Sequence, residues 1–126
     1  MWDADDAEAI YLPAEKTAPL KSLSDISEYV TTTCTLFTDI RHRAEHVITR
    51  QIAGNTGLAL YSLAWMVKDG RGPVGGTCRV TSVWRQRGAE WRCCHYAEAP
   101  LAPLLELQHY YEAVAEDGFE AIPART

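Results

Sequence analysis

The residues best equipped for chemistry crowd into one short segment, EWRCCHYAEA at 90–99. His95 is a candidate general base, because an imidazole titrates near neutrality. Glu98 is a candidate acid or base, and the Tyr96 hydroxyl is a hydrogen-bond donor. In a strand, neighbouring side chains point to opposite faces. That puts Trp91, Cys93, His95 and Ala97 on one face and Arg92, Cys94, Tyr96 and Glu98 on the other. Each residue also has a plainer reading. A glutamate near a strand end is a solvated carboxylate, a tyrosine buries its ring and bonds its hydroxyl, and Trp84 and Trp91 are packing residues.

The other chemically able residues are scattered. His42 and His46 sit four apart on a strand, so they share a face but lie about 13 Å from each other, too far to share a metal. His109 has no patterned neighbour. Cys34, Cys78, Cys93 and Cys94 form no CxxC half-site and read as buried, reduced thiols. No metal and no cofactor is expected.

These residues need elements to position them. Residues 8–15, EAIYLPAE, read as a short strand stopped by Pro13. Ser22 or Ser24 caps a helix through SLSDISEYVTTTCTLF, with Leu23, Ile26, Tyr29, Val30, Cys34 and Phe37 near helical spacing. From Ile40 the period becomes two. IRHRAEHVITRQIAG is a strand, Gly54-Asn55 its turn, and TGLALYSLAWMVKD the next strand. DGRGPVGG reads as a glycine-rich loop, TCRVTSVWRQR as the third strand of a meander, RGAE as a turn, and EWRCCHYAEA as the fourth. Beyond Pro100 and Pro103, LLELQHYYEAVAEDGFEAI returns to helical period with a break at Gly118. One domain, 1–126, is expected: strands and first helix over 1–100 and a helical segment over 101–126. Its class is α+β.

The chain has 126 residues, 47% of them hydrophobic, with 12 Lys plus Arg against 17 Asp plus Glu and a net charge of −5. A nucleic-acid binder shows a basic stripe, and none is present. No apolar run is long enough for a membrane helix. The acidic run Asp3, Asp5, Asp6, Glu8 reads as a solvated terminus without the basic flank of an export signal, so a reducing cytoplasm is the expected setting.

Three segments carry a resemblance: DADDAEAIYLPAE at 3–15, AGNT at 53–56, and RVTSVWRQRGAEWR at 79–92. They resemble the nuclear transport factor 2-like superfamily, in its SnoaL-like and ketosteroid-isomerase-like branch, and also the association domain of calmodulin-dependent kinases. The resemblance implies a cone: a strongly bent antiparallel sheet wrapped around helices, with a pocket inside and a dimer contact outside. Family members open with two helices before the first strand, and this chain does not. Its tail, YYEAVAEDGFEAIPART, looks like that missing opening. It is an added helix, or it fills the vacant helix slot in its own chain or in a neighbour's.

The resemblance also assigns faces. It turns Cys94, Tyr96 and Glu98 toward the pocket, with Leu12, Ser62, Ser82 and Trp84 in register, and leaves His95 on the opposite side. The isomerases' general-base Asp falls at Leu12, which cannot take a proton. The kinase association domain's ligand-holding arginines fall at Ala64, Ser82 and Glu98, so an equivalent anion pocket is not implied. Three readings follow: a small-molecule-binding domain with a mainly apolar pocket; an isomerase, cyclase or hydratase using Glu98 or His95; and a structural dimerisation domain. The first is preferred, for an unknown small organic ligand and with neither nucleic acid nor membrane as partner. A homodimer is expected through an outer patch of Tyr61, Trp65, Trp91 and His95.

Overall fold

The computed structural model describes residues 1–102 and 104–118. Ser22 caps the first helix: its side-chain oxygen accepts the Asp25 backbone N–H at 3.1 Å, satisfying a donor that every helix start leaves open. Helix α1 covers Leu23–Cys34. It stops three residues short of Phe37, where the Thr35 hydroxyl turns back to donate to the Thr32 carbonyl at 2.7 Å. The strands are β1 (Ile10–Leu12), β2 (Asp39–Ala53), β3 (Thr56–Asp69), β4 (Gly72–Arg87) and β5 (Glu90–Pro100), and helix α2 covers Leu104–Gly118. The tail's continuation through Phe119 and Ile122 lies outside the described residues.

The result is an α+β fold with a five-stranded sheet in the order β1-β5-β4-β3-β2. The sheet is mixed rather than antiparallel, because β1 pairs parallel with β5. Two-residue turns join the long strands at Gly54-Asn55, Gly70-Arg71 and Gly88-Ala89. Gly88 sits at φ +62°, the left-handed geometry that such a tight turn demands. The expected loop DGRGPVGG is instead mostly strand, since β4 begins at Gly72. The reason is crowding: a Cβ on Gly75 would meet the Trp65 carbonyl at 2.7 Å, so the neighbouring backbones can approach this closely only at glycine.

Register decides which residues share a face. We call the face that meets α1 the inner one. Ser82 pairs with both Ala59 and Tyr96, Tyr61 with Val80, and Val80 with Glu98. Directly paired residues point the same way, so the odd-numbered side chains of β3 face inward and Ser62 faces out. In β5 the pairing steps from Val83–His95 to Trp84–Cys93, leaving Cys94 as the extra residue of a β-bulge. The bulge reverses the alternation, so Trp91 and Cys93 join Tyr96 on the inner face. The buried cluster is accordingly Cys78, Val80, Cys93 and Tyr96, with Trp2, Tyr11, Tyr61, Leu63 and Trp84 packed against it.

The acidic terminus is tied down at Asp3 and Asp6, which are buried and not solvated as expected, while Asp5 and Glu8 are exposed. Backbone bonds from Asp3 N–H to the Cys93 carbonyl, at 2.8 Å, and from Cys93 N–H to the Met1 carbonyl, at 2.7 Å, dock it along β5. The buried Asp3 carboxylate receives Arg87 Nε at 3.0 Å and Nη2 at 2.9 Å, and Asp6 pairs with Arg85 at 3.3 Å. The Arg87 hydrogen bond holds the Asp3 carboxyl below its ordinary value of 3.8. A depressed carboxyl contributes stability that is complete above its unfolded value, about 3.9, and is lost as pH falls through the folded one. In Asp3→Asn, the stability difference between pH 7 and pH 3, read by urea unfolding, is therefore expected to shrink relative to the parent chain. An unchanged difference would show that the latch is not linked to protonation.

Helix α2 does not settle onto its own sheet. Leu104 is 81% exposed and Tyr111 63%, with Leu105, Tyr110 and Val114 also exposed. Among the described residues, α2 thus does not fill the helix slot over its own sheet.

Candidate functional site

The inner face carries a nest of aromatic rings built from distant parts of the sequence. Parallel pairing of Tyr11 with Tyr96 brings β1 to the centre of the sheet face. Tyr11 then meets Tyr96 edge-on at 5.7 Å between centroids, Trp2 at 5.9 Å and Tyr29 of α1 at 6.0 Å. Tyr96 also meets Trp2 at 6.5 Å and Tyr61 at 6.4 Å. Edge-to-face packing is the favoured geometry for such rings.

The hydroxyls of Tyr11, Tyr61 and Tyr96 and the Trp84 indole N–H beside them are all paired. The Tyr11 hydroxyl donates to Glu98 Oε1 at 2.7 Å, and the Ala14 N–H donates to Oε2 at 3.4 Å. The Tyr61 and Tyr96 hydroxyls are hydrogen-bonded to each other at 2.9 Å. Trp84 Nε1 donates to the Ser82 hydroxyl at 2.8 Å, and that hydroxyl donates to the Ala59 carbonyl at 3.2 Å. Burial pushes the Tyr11 hydroxyl far above its usual value, and its bond to Glu98 adds to the shift. Burial does the same to Tyr96. Both remain protonated donors and neither serves as a base. Burial also raises the Cys78 thiol to about 11 and the Cys93 thiol to about 12, which removes them as nucleophiles at neutral pH.

Beside the nest the inner face opens into a cavity of about 390 Å³, lined by Trp84, Trp91, Gly57, Ala59, Thr49 and Gln51, with Arg50 and Leu58 completing it. Gly57 keeps it open. A Cβ there would already be in van der Waals contact with the Trp91 ring at 3.4 Å, so a side chain longer than alanine's would crowd that ring. Indole faces with a few polar groups around them suit a flat, mostly apolar molecule.

Of the residues expected to line one pocket, Ser82, Trp84, Tyr96 and Glu98 do share the inner face. Leu12 and Ser62 do not. They line a separate groove of about 620 Å³ with His46, Ile48, Leu60, Arg79 and Thr81, a groove that Glu98 also borders. The error was one of parity, since Ser62 pairs with Arg79 and not with a residue of the Ser82 set. Cys94 leaves the pocket set because it is the bulge residue. Its thiol donates to the Val83 carbonyl at 3.4 Å, within the field of Arg85 and Asp6.

The outer patch is corrected too. Tyr61, Trp65 and Trp91 face inward, while His95, opposite Val83 and Ile10, faces outward alone. His95 is therefore on the far side of the sheet from Glu98 and Tyr96 and cannot act with them. The signal that would have found Trp91 and Tyr11 was the bulge and the parallel β1 pairing, and neither leaves a local trace in sequence.

No family model and no curated protein matches the sequence. Solved structures do match the fold. One is described as a candidate calcium/calmodulin-dependent protein kinase II association domain from Xanthomonas campestris, at 14% identity and TM-score 0.68, covering 79% of this chain and 70% of that one. Another is a candidate dehydratase of the NTF2-like family from Streptomyces avermitilis, at 15% identity and TM-score 0.69, covering 79% and 73%. A third, with a cystatin-like fold, comes from Caulobacter vibrioides, at 15% identity and TM-score 0.65, covering 85% and 78%.

Proposed function

We propose that this chain, whose fold is that of the nuclear transport factor 2-like proteins, binds a small organic molecule with a flat apolar body in the cavity over Trp84 and Trp91. The observation that carries the reading is the cavity itself: about 390 Å³, with two indoles, two small residues and polar groups from Thr49, Gln51 and Arg50. Its size is that of a small-ligand site. The indoles supply a stacking surface, and the polar groups orient the ligand's heteroatoms. Four free thiols favour a reducing, cytoplasmic setting.

Tryptophan fluorescence tests this directly, with 2-naphthol as the probe. Saturable quenching is expected, and Trp84→Ala should weaken it by about tenfold or more, the loss of one stacked aromatic face. Quenching that is linear with probe concentration, or equal in Trp84→Ala, would remove the proposal.

A second reading, an isomerase, cyclase or hydratase, rests on the Tyr11–Glu98 pair. A carboxylate held at 2.7 Å by a protonated phenol has the parts of an acid–base site, with Tyr96 as a further donor. The candidate dehydratase from Streptomyces avermitilis shares the fold, which permits that chemistry without assigning it. Glu98 is already spent on partners within the chain, so binding without turnover remains the preferred reading.

A further inference from the structure

We infer that helix α2 of one copy lies across the inner sheet face of a second copy, and that the exchange is reciprocal, so that each copy's helix roofs the other's Trp84–Trp91 cavity. Two complementary surfaces are left open in the single chain. On α2, Leu104, Leu107, Tyr111 and Val114 recur at helical spacing and form one apolar stripe, and Leu104, Tyr111 and Val114 are exposed. On the sheet, Trp91 is 43% exposed and Trp65 36%, with Tyr61, Leu63 and Trp84 only half-buried. A 15-residue helix is about 22 Å long, enough to cross strands spaced about 4.8 Å apart from β5 to β2.

Surface area argues that something covers these faces. A compact monomer of 14.1 kDa exposes about 6,700 Å², whereas this chain exposes 9521 Å². The surplus of about 2,800 Å² per copy, about 5,600 Å² for a pair, stands at the top of the total that obligate dimers bury.

The connection explains why the occupant is a second copy. The Leu101 N–H still donates to the Thr77 carbonyl at 3.0 Å, so the chain is pinned to β4 one residue past β5. Only Ala102 and Pro103 remain before α2 starts at Leu104. So short a connection leaves α2 little freedom to fold back, and its apolar residues stay exposed and off its own inner face. Short, stiff connections of this kind drive an element onto a partner. The proposal goes beyond the binding reading and does not require a ligand.

Two measurements on the full chain test it. Light scattering should give twice the chain mass, and Tyr111→Glu should raise the dimer dissociation constant by about tenfold or more while far-ultraviolet circular dichroism stays native, because it places a charge in the apolar contact. In a Cys34→Ser background, Leu63→Cys and Val114→Cys chains are mixed and treated with a bis-maleimide. A cross-linked dimer should form in the mixture and in neither chain alone. A monomeric parent chain, or a dimer that Tyr111→Glu leaves intact with no cross-link in the mixture, would overturn the exchange. So would an intramolecular cross-link in the Leu63→Cys/Val114→Cys double variant. If Tyr111→Glu loses its native dichroism, the cross-linking result alone decides.

Discussion

Tyr96→Ala is expected to cost about 3–5 kcal/mol, the range for truncating a large buried aromatic side chain. Domains of this size have about 5–15 kcal/mol in total, so the variant would lose a large share of its stability. Tyr96 is only 8% exposed. It is the ring that Trp2, Tyr11 and Tyr61 all pack against edge-on. Removing it detaches the N-terminal segment, β1 and the middle of β3 at once. Tyr96→Phe keeps those ring contacts and loses only the hydroxyl pair with Tyr61, at a cost of about 0.5–1.5 kcal/mol. Urea midpoints compare the two at equal slope. Equal losses would mean that the hydroxyl, and not the ring nest, holds this face together.

Ile26→Ala has the second large effect, about 2–5 kcal/mol. Ile26 is the one buried residue of α1, 2% exposed. The helix otherwise touches the fold through partly buried groups such as Tyr29 on Tyr11. Truncating Ile26 therefore removes the one fully buried side chain that anchors the helix. Hydrogen exchange across 23–34 should lose its protection well before the strands do. Val30→Ala, at an exposed position of the same helix, should change stability by no more than about 0.5 kcal/mol. If both variants behave alike, α1 is not anchored at Ile26.

What the sequence reveals here is local order. Ser22 as helix cap, the Gly54-Asn55 and Gly88-Ala89 turns, and the four long strands are legible because neighbours a few residues apart produce them. The α+β class follows from that order of elements, and the resemblance supplied the expectation of a cone. The distribution of residues between faces was not legible. Alternation propagates a single phase along a strand, and the extra residue at Cys94 resets that phase without any change in residue type. Trp91 thus moved from the expected outer patch to the cavity, and Cys93 took the place expected for Cys94. Gly72–Gly76 hid a strand because glycine carries no alternating pattern. Tyr11, a central residue of the nest, was invisible as such because its role depends on a parallel partner more than eighty residues away. Ser82 and Trp84 share the inner face because β4 itself carries no extra residue, and Tyr96 and Glu98 join them because both lie on one side of the bulge.

The fifteen-residue strand β2 stands at the open edge of the sheet, paired only with β3. It is not straight. The register shifts between Glu45 and Ile48, and His46 there takes φ +54°, a left-handed value unusual for a residue with a side chain. An unbroken edge of this length would offer a second chain a continuous row of backbone donors and acceptors, the template on which fibrils grow. The kink cuts that row in two, and Arg41, Arg43 and Glu45 set charges along the first half. A chain that leaves so much apolar surface open has an acute need of such a break, because stacking into insoluble ribbons competes with folding wherever apolar surface and strand edges are exposed together.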